Sequence, residues 1–248
     1  MKLLTIIILQ ILTCATAYLW LRTTFTDAGS RAARLAGVWL YMTLPWRVRL
    51  CIIREDLAWS VIWMCIPLFL SAVTILIQAV KKKTKANSTG NLWKIMTILT
   101  APFSLAAILF FLRRIMLREP LIPGSISQNG YSVGELLSLF TYPEEKPGLG
   151  LWLALSLVAG LWLWYVKGIK NAGKITVLYT IAALLLTLAS LHFFPWDLLQ
   201  RIHPVCLKLI SMLRTPAVFY ALAQIALCIP GACSVGALCL HYQKRVIY

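Results

Sequence analysis

The chain of 248 residues carries only eight acidic side chains, so each carboxylate is a candidate for chemistry, and two of them stand side by side. Arg54-Glu55-Asp56 comes directly before an apolar run that begins at Leu57. A carboxylate so placed lies at or just inside a membrane surface. There it can act as a general base, bind a divalent cation or pair with a neighbouring Arg. Its plainer use is to sit at the positive end of a helix dipole. Asp197 follows Phe193-Phe194-Pro195-Trp196 and invites the same pair of readings, a substrate ligand or the N-cap of an interfacial helix. The basic residues Arg47, Arg49, Arg54, Arg201, Lys208 and Arg214 accompany these carboxylates, with Trp46 and Trp196 among them. Guanidinium groups bind phosphate through two parallel hydrogen bonds, so the set suits a phosphate or pyrophosphate carried on a lipid. Ordinary contact with phospholipid headgroups uses the same residues equally well.

Other chemistry finds little footing. His192, His203 and His241 stand near no paired Cys at metal-ligand spacing. Cys228, Cys233 and Cys239 fall at gaps of five and six, so no CxxC motif exists and no metal site is expected. Small apolar packing is the simpler role for these cysteines. Cys51 and Cys206 fall in connections on the same side and could pair in an oxidising compartment. There is no GxGxxG, Walker-type loop, GxSxG or HExxH, which leaves soluble nucleotide chemistry unsupported.

The elements that must position these residues follow from composition. Hydrophobic residues make up 60% and charged residues 13%, with a mean hydropathy of +0.80, against roughly 25% charged in a soluble domain. The expected fold class is all-α, a polytopic integral membrane protein with about six or seven transmembrane helices and short amphipathic interfacial helices. Spans are expected at 3–21, 57–80, 95–112, 149–166, 175–194 and 216–240. A further run, 35–50, is interrupted by Pro45, Arg47 and Arg49 and reads as a short, tilted or re-entrant helix. The first span resembles a secretory signal up to Cys14-Ala15-Thr16-Ala17, but it continues to Trp20, Leu21 and Arg22, as a span ending at an aromatic belt does.

The formal net charge of +16 raises nucleic acid as a partner. In a membrane protein, however, basic residues collect at helix ends and meet lipid headgroups, so no nucleic acid is expected. Lys81-Lys82-Lys83-Thr84-Lys85, the Lys167/Lys170/Lys174 turn and the Lys244-Arg245 tail are short basic segments that belong in the cytoplasm, with the C-terminus. Every carboxylate except Asp27 then falls on the outer side. That side holds the long connections 45–56, 113–148 and 195–215. Within 113–148, Ser132-Val133-Gly134-Glu135 has the spacing of a capping box, with Val133, Leu136, Leu137 and Phe140 on one face. Within 195–215, polar positions at helical spacing and Pro204 describe an amphipathic segment.

Three stretches in order carry a family resemblance. They are Arg34 to Arg47 with Arg54-Glu55-Asp56-Leu57-Ala58 and Ile66-Pro67-Leu68, then Tyr131 to Phe140 with Gly148-Leu149-Gly150-Leu151, and then Phe194-Pro195-Trp196-Asp197 with Leu207 to Pro216. Together they resemble bacterial YfhO-like membrane proteins of the GT-C type, which use polyprenyl-phosphate-linked sugars. The likeness covers most of residues 20 to 225. It implies a multi-pass protein of the bacterial inner membrane that acts on or binds a lipid-linked sugar at the external face. In an active enzyme, Glu55 or Asp56 would be the catalytic carboxylate or would hold a divalent cation. Arg47, Arg54 and Arg201 would bind the lipid phosphate, and Asp197 would orient a sugar. The chain departs from the family in two respects. It has no counterpart to the long first external loop that carries the family's catalytic acid, and Leu213-Arg214-Thr215-Pro216 lacks the family's aromatic pair. A shortened, inactive relative is therefore an alternative expectation. A non-enzymatic subunit or permease-like component is another, in which Ala159-Gly160 and Gly231-Ala232 mark helix contacts.

Overall fold

A computed structural model describes residues 2–25, 31–81, 92–118, 130–139, 146–167, 174–196 and 217–246. Among them the fold is helical, with one isolated bridge between Tyr131 and Leu191. The helices are α1 (Lys2–Thr24), α2 (Arg31–Met42), α3 (Pro45–Arg47), α4 (Leu57–Lys81), α5 (Leu92–Arg118), α6 (Val133–Leu137), α7 (Leu151–Lys167), α8 (Lys174–Ser190) and α9 (Ala217–Val246). A six-residue π-helical stretch, Val48–Ile53, continues α3.

Among the described residues, four helices are long and apolar enough to cross a membrane: Leu3–Thr24, Leu57–Gln78, Ile95–Arg113 and Val218–Leu240. They mark a membrane-embedded protein. The apolar parts of α7 and α8, Leu151–Trp162 and Thr176–Ser190, are shorter. The run at 35–50 does not form one helix, because α2 stops at Met42. Pro45 has no N–H to continue the ladder, and its ring clashes with a preceding turn, so the chain restarts with Pro in the first turn of α3. At about 1.5 Å per residue, the 12 residues of α2 reach only part of the way across a bilayer.

α4 and α9 are the central helices, and each is half buried along its apolar window, against 22% for α1 and 11% for α5. α4 packs on α1 and α5, while α9 packs on α2, α7 and α8. α2 joins the two groups, because it also touches α1. Small residues let these helices approach. A Cβ on Gly236 would stand 2.7 Å from the Ala33 Cβ, and one on Gly231 would stand 2.6 Å from the Ser156 hydroxyl. Close backbone approach gains dispersion contact where lipid supplies no hydrophobic drive. Gly160 meets Ser234 in the same way, so the small pairs at 159–160 and 231–232 serve contacts inside this chain. The outward faces carry large apolar side chains such as Phe103, 77% exposed, and Leu185, 62% exposed, which suits lipid and not water.

Contacts fix which helix ends meet. Gln78 Nε2 donates to the Thr23 carbonyl at 2.9 Å, so α1 and α4 end together. Phe111 and Leu112 pack on Ala58 and Ile62, so α5 returns antiparallel to α4. Ala33 lies against Gly236 while Leu40 lies against Gly231, so α2 runs antiparallel to α9. Residues 43–56, 130–139, 146–150 and 190–196 therefore gather at the end where α9 begins. The lysines at 81, 167 and 174 fall at the opposite end.

Candidate functional site

The gathered end is built around Tyr131. Its side chain is fully buried, and its hydroxyl accepts from Trp46 Nε1 at 2.9 Å and donates to the Pro147 carbonyl at 2.8 Å. The Tyr131 amide donates to the Ser190 carbonyl at 2.8 Å, and its own carbonyl accepts from the His192 amide at 3.0 Å. One residue thus ties together the segment after α2, the 130–150 connection and the end of α8. Burial pushes the Tyr131 hydroxyl well above its ordinary pKa, so it acts here as a fixed hydrogen-bond junction.

The capping box forms as its spacing predicts. Ser132 accepts from the Glu135 amide and Glu135 accepts from the Ser132 amide, and both bonds hold α6 in place. Partial burial pushes the Glu135 carboxyl up. The Ser132 amide and hydroxyl, and then Lys146 and His192, pull it down further, and the balance is a lowered pKa. Lys146 stands 3.9 Å from Glu135, donates to the Gly130 carbonyl at 2.6 Å and lies 5.6 Å from the Tyr131 ring centroid. From α9, the Tyr220 hydroxyl donates to the Leu136 carbonyl at 2.7 Å and Gln224 Nε2 donates to the Gly148 carbonyl at 2.5 Å. Gly150 closes the turn with a φ of 81°, and a Cβ there would strike the Pro45 ring.

The sequence-predicted site residues divide among different roles. Asp56 caps α4, because its Oδ1 accepts from the Ala58 amide at 2.8 Å and from the Trp59 amide at 3.4 Å. Glu55 is exposed and holds a φ of 49°, a region in which a non-glycine residue is strained. Arg54 is exposed beside it, and Arg49 is half-buried. Burial, then the neighbouring Arg54, lowers the Arg49 pKa. Arg47 does not join an outer ring of cations. Its side chain is 1% exposed and turns inward, with Nη1 donating to the Met42 carbonyl at the end of α2. Asp197 and Arg201 lie outside the described residues, as do Lys208 and Arg214. Among the described residues, no three His, Cys, Asp or Glu side chains cluster as a metal site.

Sequence reasoning missed the role of Tyr131, an aromatic whose importance comes from hydrogen bonds to three distant segments. It also missed an apolar half-open cleft of about 300 Å³ alongside the arginine-bearing segment. Leu44, Pro45, Val48 and Ile53 form one wall of the cleft, and Leu149 to Leu153 with Leu139 form the other. Trp152 reaches from this wall to Trp39, with ring centroids 5.9 Å apart and the rings edge to face. Trp196 completes the platform. Its Nε1 donates to the Ala189 carbonyl at 2.8 Å, and its ring stacks on Phe219 at 5.1 Å.

Fold and site define a membrane-embedded helical bundle with a hydrogen-bonded polar platform at one end. No protein-family model, curated protein or solved structure matches the chain.

Proposed function

We propose that the protein crosses the membrane several times and binds a lipid-linked phosphate, such as a polyprenyl-phosphate sugar, at its platform end. One observation carries this reading. Leu44, Pro45, Val48 and Ile53 line a half-open apolar cleft, and Arg47, Arg49 and Arg54 stand on the same short segment or directly after it, a combination of cations for a phosphate and hydrocarbon for the chain attached to it. Parts of the stretches that resemble YfhO-like proteins, 43–47, 131–139 and 194–196, support the same reading because they lie at this one end. The basic helix ends at 81, 167 and 174 favour the cytoplasm for the opposite end, which leaves the platform at the external face.

If the chain transfers sugar, Glu55 is the one of the two adjacent carboxylates that is available for it. Deprotonating an acceptor hydroxyl requires a carboxylate lone pair within reach of that hydroxyl. The Asp56 carboxylate is occupied by two backbone amides of α4, whereas Glu55 faces outward. A protein that only binds the lipid needs neither group. Native mass spectrometry in nanodiscs tests the binding claim with geranylgeranyl phosphate and geranylgeraniol. The phosphate is expected to stay bound and the alcohol to leave, and equal retention of the two would refute a phosphate site. For transfer, Glu55→Gln should abolish turnover of a polyprenyl-linked sugar without unfolding, whereas Asp56→Asn should act chiefly through stability.

A further inference from the structure

The Arg47 guanidinium is held by one nitrogen and idle at the other two. Nη1 is tied to the Met42 carbonyl, whereas Nε and Nη2 are buried with no hydrogen-bond partner among the described residues. These two nitrogens form the side-on edge of the guanidinium, with two parallel N–H groups at the spacing of two oxygens of one phosphate or carboxylate. The Nη1 bond fixes the plane, so the edge is aimed before any ligand arrives. Tyr41, Cys51 and Cys14 are the groups that face Arg47, and the Tyr41 hydroxyl is already committed to the Trp63 carbonyl at 2.5 Å. No carboxylate is among them. A buried cation without a counter-charge is costly, and it persists where something it binds compensates.

Resting on the proposed lipid-phosphate reading, we infer that Arg47 seats one phosphate group inside the bundle, two of its oxygens on Nε and Nη2. A neighbouring protein helix could not reach a side chain that is 1% exposed without separating α2 from its neighbours, whereas a single oxyanion asks for a much smaller displacement. Leu44, Pro45 and Val48, which flank Arg47 in sequence, line the apolar cleft. A hydrocarbon chain in that cleft therefore lies along the same short segment as the phosphate seat. Arg54 and Arg49, nearer the surface, would meet the outer part of the same ligand.

The experiment uses the full chain in nanodiscs and follows its melting with geranylgeranyl phosphate, geranylgeraniol and inorganic phosphate. Geranylgeranyl phosphate is expected to raise the melting temperature of the wild type, and the alcohol is not. Arg47→Met should melt higher than wild type without ligand and lose the shift. Arg47→Lys, which keeps the charge but has no side-on edge, should weaken apparent affinity roughly tenfold or more. Arg31→Met, at the other end of α2, should respond as wild type does. If Arg47→Met keeps wild-type affinity, the seat is wrong while the lipid reading stands. If only inorganic phosphate stabilises, and only through Arg47, the seat stands and the lipid reading falls. A wild type that answers to neither phosphate, or a partner chain captured through Arg47 in place of phosphate, overturns the seat. So does an Arg47→Met chain that melts lower than wild type.

Discussion

Replacing Tyr131 with Phe removes one oxygen from the centre of the platform and leaves the ring in place. The ring keeps its contact with Tyr220, at a centroid distance of 4.8 Å, so packing is conserved and only the two hydroxyl hydrogen bonds are lost. Pro147 is buried and Trp46 is half-buried, and both lose a partner they cannot replace. Each buried polar group left unpaired costs about 1–3 kcal/mol. The lower part of that range applies to Trp46, and the total is roughly 2–4 kcal/mol. In a chain of this size 1 kcal/mol corresponds to about 2–4 °C, so the melting temperature should fall by roughly 4–16 °C. A thiol-reactive fluorescent dye in detergent is a suitable probe, because Cys51, Cys65 and Cys228 are buried and become labelled only on unfolding. In a Trp46→Phe background the same change should cost less, since only the Pro147 carbonyl is then orphaned. A Tyr131→Phe cost below about 0.5 kcal/mol, within the ordinary range of surface substitutions, would refute the hub. Full additivity with Trp46→Phe would refute the bond between the two residues.

Three further outcomes follow from the packing and electrostatics. Gly236→Ala places a Cβ 2.7 Å from the Ala33 Cβ and 3.2 Å from its Cα, so overpacking should cost about 1–3 kcal/mol, read in the same thermal assay. Because the Glu135 pKa is lowered in the fold, its contribution is fully present above the ordinary value of 4.5 and is lost as pH falls through the lower folded value. Amide exchange at 132–136 should accelerate across that acid window in the wild type, and Glu135→Gln should remove the pH dependence. Burial pushes the Cys51 thiol up to about 11, against the smaller opposing effects of the Ser60 hydrogen bond and Arg47. At pH 8 it should resist iodoacetamide in the native protein and react after unfolding, and rapid native labelling would contradict its placement.

Much of the helical layout was legible in the sequence, because a hydrophobic run longer than 18 residues leaves the backbone few alternatives to a helix in lipid. Each of the four longest helices begins and ends within a few residues of its apolar run, apart from the polar extensions of α5 and α9. Ser132 and Glu135 were legible for a similar reason, since a capping box is local and needs only a three-residue spacing. The interruption of the 35–50 run at Pro45 was legible as well, because proline cannot continue a helical ladder, whereas the six-residue π-helical stretch that follows it was not, because hydropathy carries no signal for it. Arg47 illustrates the limit most directly. One residue separates it from Arg49 and six from Arg54, and charge alone grouped the three at a surface. Direction in a short irregular segment is set by tertiary contacts, here the Met42 carbonyl, and a sequence carries no period from which to read it. Asp56 carried two readings, and the local one, a cap, is the one its hydrogen bonds satisfy.

The central claim is that a lipid-borne phosphate binds at the platform end of this bundle, its chain in the cleft between 44–53 and 149–153. A geranylgeranyl phosphate bearing a diazirine, crosslinked in nanodiscs and mapped by peptide mass spectrometry, tests it most directly. The account predicts labels concentrated on residues 40–53 and 149–153, competed by unlabelled geranylgeranyl phosphate and not by geranylgeraniol. Labels spread along the lipid-facing side of α5, at residues such as Leu99 and Phe103, or equal labelling by the alcohol analogue, would contradict it.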